Sequence, residues 1–204
     1  MSQDQKQDLR REAIIEAAIK RFAHFGVGKT TMTEIGNDLS LSKASLYYYF
    51  PDKLSLYAAV LRTITQQTEK KDDEWLQKES DPKKAILLFL DMRTDFIIKY
   101  HNILEYLRNY TPATIPPPLD SIFVHLRHRE LRRITDIIEK GRTSGQFSIE
   151  NSEKVAELFF DFLDGFRHTM FSRNGTVFPD KKQFQSILKK EKEFATIFFN
   201  GLSV

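Results

Sequence analysis

Apolar side chains recur along this chain at alternating steps of three and four, and no alternating strand pattern of useful length appears, so the spacing predicts helices throughout. Over residues 9–25, Ile15, Ala18, Ile19, Phe22 and Phe25 share one side while Arg10, Arg11, Glu12, Glu16 and Lys20 take the other. Gly26 stands where a left-handed residue ends a helix. Thr31-Met32-Thr33-Glu34 has the form of a capping box: the hydroxyl accepts the third amide and the carboxylate reaches back. It opens a second helix with Met32, Ile35 and Leu39 inward. Ser40-Leu41 reads as a turn. Ser42 reads as N-cap of a third helix, 43–50, anchored by Leu46, Phe50 and one tyrosine. Asp52 caps a long fourth helix, in which Leu54, Tyr57, Leu61, Ile64 and Thr68 repeat toward Trp75.

Ser80-Asp81-Pro82 opens a fifth helix that is expected to run to about Tyr110. Residues 111–119, with three prolines in a row, read as a stiff loop. A sixth segment spans about 120–140, could break near His128, and is stopped by Gly141 and Gly145. Asn151 caps an aromatic-rich helix over about 152–172, Asn174-Gly175 through Pro179-Asp180 is a loop, and a last helix covers 181–202. The expected fold class is all-α, with a small helix-turn-helix domain at 1–53 and a larger helical domain at 54–204.

Composition narrows the function classes. The 204 residues contain no cysteine, which excludes disulfides, thiolate catalysis and Cys-ligated zinc. The N-terminal MSQDQKQDLRRE lacks the apolar stretch of a signal peptide, and the densest apolar run, 85–90, is too short to span a bilayer. A cytoplasmic location and no membrane partner are expected. No nucleophile–base pair, paired-carboxylate motif or phosphate loop is visible, so neither an enzyme nor a cofactor is expected. His125 and His128 are one helical turn apart, but no third ligand lies near them and no metal is expected. The Lys/Arg-rich run 127–133 reads first as a solvated helix face and second as an anion or lipid-headgroup contact.

Charge alone says little about nucleic acid. The net charge is +3, and residues 1–53 hold eight Lys/Arg against seven Asp/Glu. Placement says more. Tyr47, Tyr48 and Tyr49 point about 100° apart on a helix, so they cannot all enter a core. Those left outside join Ser42, Lys43 and Ser45 in a hydrogen-bonding, cationic and aromatic surface at a helix start, suited to phosphates and base edges. Tyr49 is the one expected to turn inward.

At these residues the chain resembles the tetracycline-repressor (TetR) family of transcriptional regulators. The likeness is carried by Phe22 and Gly26, Thr31 and Ile35, Ser42-Lys43-Ala44-Ser45-Leu46-Tyr47, and Phe50, Lys53 and Leu56, over roughly 9–60. Leu39-Ser40 replaces the usual Ala-Gly, Gly36 stands where alanine is common, and Tyr48 replaces a frequent His or Arg. The resemblance implies a third helix lying in the major groove of double-stranded DNA. Ser42, Lys43, Ala44 and Ser45 would start that helix at the bases, and Tyr47 and Tyr48 would reach the backbone. Thr31, Thr33 and Lys53 would hold flanking phosphates. It also implies a homodimer on a palindromic operator, a repressor released by a small-molecule effector, and a dimer face from the last two helices, where Gly165, Phe184, Leu188, Phe194 and Phe198 are the candidates. For the aromatic stripe of Phe89, Met92, Phe96, Tyr100, Tyr106, Phe159, Phe162 and Phe166, spacing alone favours ordinary core; the resemblance raises a ligand pocket as the other reading. A helical ligand-binding or interaction protein with weak or lost DNA binding stays open, because the charge of the first 53 residues is nearly balanced.

Overall fold

The computed structural model describes residues 3–110, 113–173 and 179–203. Among them the chain forms nine α-helices: α1 (Gln3–Phe25), α2 (Met32–Asp38), α3 (Lys43–Tyr49), α4 (Lys53–Lys78), α5 (Pro82–Lys99), α6 (His101–Leu104), α7 (Pro117–Thr143), α8 (Ser152–Arg173) and α9 (Lys181–Gly201). A 3-10 segment, Glu105–Asn109, follows α6. No strand occurs among the described residues, only an isolated antiparallel bridge between Phe147 and Ser203. The fold is all-α, as the spacing predicts. The expected loop after Asn174 lies, for 174–178, outside the described residues.

Contacts divide the chain into two compact units, Met1–Glu69 with Tyr100–Val124, and Lys70–Lys99 with His125–Val204. In the first, Ile14, Ala18 and Phe22 of α1, Ile35 of α2, Leu46 of α3, and Leu56, Tyr57 and Ile64 of α4 are fully or almost fully buried. Here the fifth-helix expectation needs correction: α5 ends at Lys99, not near Tyr110. Tyr100 departs from helical geometry (φ −105°, ψ 22°), and the residues after it are held by distant partners. Asn102 Nδ2 donates to Ala23 O at 2.7 Å, and the buried Tyr57 hydroxyl donates to Ile103 O at 2.9 Å. Phe22, Tyr57, Tyr106 and Tyr110 follow one another edge to face at 5.1–6.3 Å. A straight α5 would forgo these contacts. Burial raises the Tyr57 phenol well above its ordinary range, so it stays a donor.

The second unit has its own core of Ile86, Phe89 and Leu90 of α5, Ile134 and Ile138 of α7, Phe159 and Leu163 of α8, and Ala195 and Phe199 of α9. Burying Phe159 alone contributes roughly 1.5–3 kcal/mol. The Arg167 guanidinium and Glu191 carboxylate form a buried two-pronged pair between α8 and α9, with Nη2 to Oε2 at 2.8 Å. Such a pair gains little over an apolar isostere but is costly to break, so it holds the register of the two helices.

Three further expectations change here. α7 starts at Pro117, inside the expected stiff loop, because prolines fit a first turn where no amide donor is needed. It then runs unbroken past His128 and through Gly141 to Thr143. Gly141 does not stop the helix; the Phe147 ring lies on it, 2.1 Å from where a Cβ would stand. Gly145 makes the turn instead, with φ 73°. The basic run is also not a plain solvated face. Arg129 is buried, Arg133 pairs with Asp72 and Asp73, and Arg93 pairs with Glu130 at 3.1 Å.

Candidate nucleic-acid interface

The α2–α3 pair is built from local hydrogen bonds that the sequence spells out. Thr31 Oγ1 accepts from Glu34 N at 3.2 Å, and the Glu34 carboxylate accepts from Thr31 N at 2.7 Å and from its hydroxyl at 2.8 Å. These bonds hold the Glu34 carboxyl below its ordinary range. Arg21 of α1 grips the end of α2, donating to Asp38 through Nη2 at 2.7 Å, which depresses the Asp38 carboxyl. The turn is a Schellman arrangement: Leu41 N donates to Gly36 O at 2.9 Å and Ser40 N to Asn37 O at 3.1 Å. Ser40 takes the left-handed position, φ 52°. Ser42 then caps α3, accepting from Ser45 N at 3.1 Å, and Asp52 caps α4, accepting from Ser55 N at 2.6 Å.

This frame decides where each candidate residue stands. Leu46 and Phe50 are buried and hold α3 down. Tyr47 and Tyr48 are exposed, at 39% and 71%, while Tyr49 is half-buried, so the three rings sort as the helical geometry predicts. Ser42, Lys43 and Ala44 are exposed and Ser45 is half-buried. The Lys43 ammonium lies 5.8 Å from the Tyr47 ring centre, a one-turn cation–π contact that keeps both on one side. Thr31 and Thr33 are exposed, although the Thr31 hydroxyl already serves Glu34 in the capping box. Lys53 is engaged within the frame. Its ammonium donates to Val27 O at 3.0 Å, Thr30 O at 3.1 Å and Gly28 O at 3.5 Å. It ties the α1–α2 loop to the start of α4.

Sequence reasoning missed the N-terminal turns of α1. Gln7 Nε2 donates to the Tyr48 hydroxyl at 3.1 Å, and Lys6, Gln7, Leu9, Arg10 and Ala13 line a cleft with Tyr48 and Tyr49. The i,i+4 cations Lys6 and Arg10 were the available signal. Arg11 packs its guanidinium 5.2 Å from the Phe50 ring centre, fastening α1 to the end of α3.

The other candidates divide by unit. Tyr100 and Tyr106 belong to the first; Phe89, Met92, Phe96, Phe159, Phe162 and Phe166 belong to the second. Phe89 and Phe159 are core, Met92, Phe96 and Phe166 are half-buried, and Phe162 is 49% exposed, stacked on Phe194 at 3.8 Å. Of the possible dimer residues, Phe184 is buried in its own chain, Leu188, Phe194 and Phe198 are half-buried, and Gly165 faces open space. Leu158 and Ile197, exposed at 64% and 73%, were missed. Spacing puts Ile197 on the same side of its helix as Phe194, and Leu158 on the same side as Phe162; only the packing of neighbouring helices shows that Ile197 and Leu158 stay outside.

Comparison with known proteins agrees with this geometry. The family model for bacterial regulatory proteins of the tetR family matches residues 14–60. The HTH-type transcriptional regulator RutR of Escherichia coli (strain K12) is 44% identical over 111 residues, covering 52% of this chain and 44% of RutR, so the match spans less than half of that relative. The crystal structure of a transcriptional regulator from Cytophaga hutchinsonii superposes with a TM-score of 0.83 at 29% identity, covering 95% of this chain and 98% of that one. A putative transcriptional regulator from Saccharomonospora viridis, solved in complex with choline, shares the fold at 18% identity, with a TM-score of 0.68 over 91% of this chain and 96% of that one.

Proposed function

The chain belongs to the TetR family of transcriptional regulators, and on that premise we propose that it binds a two-fold-symmetric operator as a homodimer in the cytoplasm and represses until a small-molecule effector releases it. The observation that carries the DNA reading is the outward face of α3. Lys43, Ala44, Tyr47 and Tyr48 are exposed together on a helix whose start is capped by Ser42 and whose back is anchored by Leu46 and Phe50. Lys43, Ala44 and Ser45 meet base edges, and Tyr47 and Tyr48 donate to phosphates. Thr33 flanks them from α2. Thr31 and Lys53 act mainly by holding the frame, since their polar atoms are engaged within it. The acting boundary lies near residue 53, where α4 begins.

The dimer reading rests on an apolar face of α8 and α9. Leu158, Phe162 and Ile197 are exposed, Phe194 and Phe198 are half-buried, and Gly165 admits a close neighbour. Two-fold symmetry then sets two α3 helices about one DNA turn apart. Effector binding draws on the half-buried Met92, Phe96 and Phe166 rather than on Phe89 and Phe159, which the core uses. Coupling runs through α4, one continuous helix whose first residue follows the α3 unit. The rival reading, a helical binding protein that has lost DNA binding, draws on the near-neutral charge of residues 1–53.

Anisotropy titration of duplex DNA from upstream of the gene separates the two. Specific binding should weaken steeply with salt. Lys43→Ala should weaken it by about 5- to 150-fold, the equivalent of ~1–3 kcal/mol for a base contact, with the circular dichroism unchanged. No upstream site preferred over random sequence at any salt concentration would sink the operator reading.

A further inference from the structure

We propose that the cleft between the N-terminal turns of α1 and the C-terminal half of α3 is a second seat for the DNA backbone, in which Lys6 and Arg10 take a phosphate and Gln7 aims the Tyr48 hydroxyl at it. The proposal rests on the DNA-binding reading and extends it to residues outside the helix-turn-helix.

Lys6 and Arg10 are four residues apart on a helix, so they project from one side, and that side lines the cleft with Tyr48 and Tyr49. Asp8 and Glu12 point roughly 120–160° away from Lys6 and Arg10 around the helix, at about 100° per residue, so they do not quench this face. Both cations are exposed, and neither has a hydrogen-bond or ion-pair partner among the described residues. The cleft is open and has a volume of about 640 Å³. Leu9, 54% exposed, gives its rim an apolar surface of the kind a deoxyribose covers.

Tyr48 supplies the chemistry that points to a phosphate. Its oxygen accepts from Gln7 Nε2 at 3.1 Å, which leaves the phenolic proton free. A phenol that accepts one hydrogen bond donates the next more strongly, so Gln7 positions and polarises a donor beside two cations. A phosphodiester is the ligand with matching charge and acceptors. The base-reading start of α3 lies at the other end of the same helix, so a contact here fixes orientation on the duplex without reading sequence.

The test uses the full chain and two labelled duplexes, one selected for tight binding from a random-sequence pool and one of arbitrary sequence. Affinities are measured across a salt series. Lys6→Ala/Arg10→Ala should lower affinity for both duplexes by the same factor and reduce the salt slope by about 1–2, close to 0.9 for each phosphate no longer neutralised. Lys6→Arg/Arg10→Lys should retain the slope, and Lys190→Ala on the exposed side of α9 should leave it unchanged. Gln7→Ala should weaken binding about as much as Tyr48→Phe, and the pair together no more than Tyr48→Phe alone. If Lys43→Ala weakens binding while the Lys6/Arg10 variant matches Lys190→Ala, the second seat falls and the operator reading stands. If the unaltered chain binds neither duplex, both fall.

Discussion

Ser40 holds a backbone conformation (φ 52°) that costs a residue with a Cβ roughly 1–2 kcal/mol relative to glycine. The cost is tolerated because the Leu41 and Ser40 amides both close onto α2, which sets the angle at which α3 leaves. Ser40→Gly should therefore stabilise the first unit by up to about 1 kcal/mol, since the relieved strain is partly offset by the greater freedom of glycine in the unfolded chain. Ser40→Val should destabilise it by more than that. Urea unfolding followed by tyrosine fluorescence reads both, and a Gly variant less stable than the parent would overturn the strain at Ser40. Lys53 shows how packing redirects a residue at the same scale. The resemblance to the TetR family implies a phosphate contact for it, but its ammonium is occupied by three carbonyls of the preceding loop.

At the scale of the element, the junction of α7 and α8 carries a pH dependence. Glu139 on α7 accepts from Arg142 at 2.6 and 2.9 Å and from the Ser152 hydroxyl at 2.6 Å, at the start of α8. Arg142 first, then Ser152, holds the carboxyl down to about 2, against an ordinary value of about 4.3. A carboxyl depressed in the folded state contributes stability that is fully present above its unfolded value and lost as pH falls through the folded one. The unfolding midpoint of the parent should therefore fall relative to Glu139→Gln between about pH 4.3 and about 2. The difference should shrink in high salt, because the group is exposed. Parallel midpoints of parent and variant across that window would show that the contact does not act. Elements also explain the misplaced helix ends. Spacing predicts that apolar residues continue, but Asn102 and Tyr57 are what end α5, and the Phe147 ring is what makes a glycine acceptable inside α7.

At the scale of the whole molecule, the proposed recognition of DNA by two α3 helices requires a second copy. The α8–α9 face offers Leu158, Phe162 and Ile197, three exposed apolar side chains whose solvation two copies would relieve. Ile197→Asp should weaken self-association at least about 30-fold, the loss expected when a central anchor worth ~2 kcal/mol is removed. Operator affinity should fall with it, while the N-terminal unit stays folded. Sedimentation velocity at micromolar protein, with the DNA titration beside it, checks both; a variant that sediments as the parent does would remove this face from the assembly.

The sequence by itself determined what depends on residues within about one helical turn of each other: the Thr31–Glu34 box, the Ser42 and Asp52 caps, the left-handed break at Gly26, and the sorting of Tyr47, Tyr48 and Tyr49. Those interactions follow from spacing, because a helix fixes the distance between i and i+3 or i+4. The tertiary structure alone decided what depends on residues far apart in the chain. It set Gln7 against Tyr48, took Lys53 from solvent to the carbonyls of the α1–α2 loop, drew Arg133 of the basic run to Asp72 and Asp73, and left Ile197 outside while Phe184 went in. The pattern of apolar positions requires that a face be covered; only the packing of distant helices specifies by what.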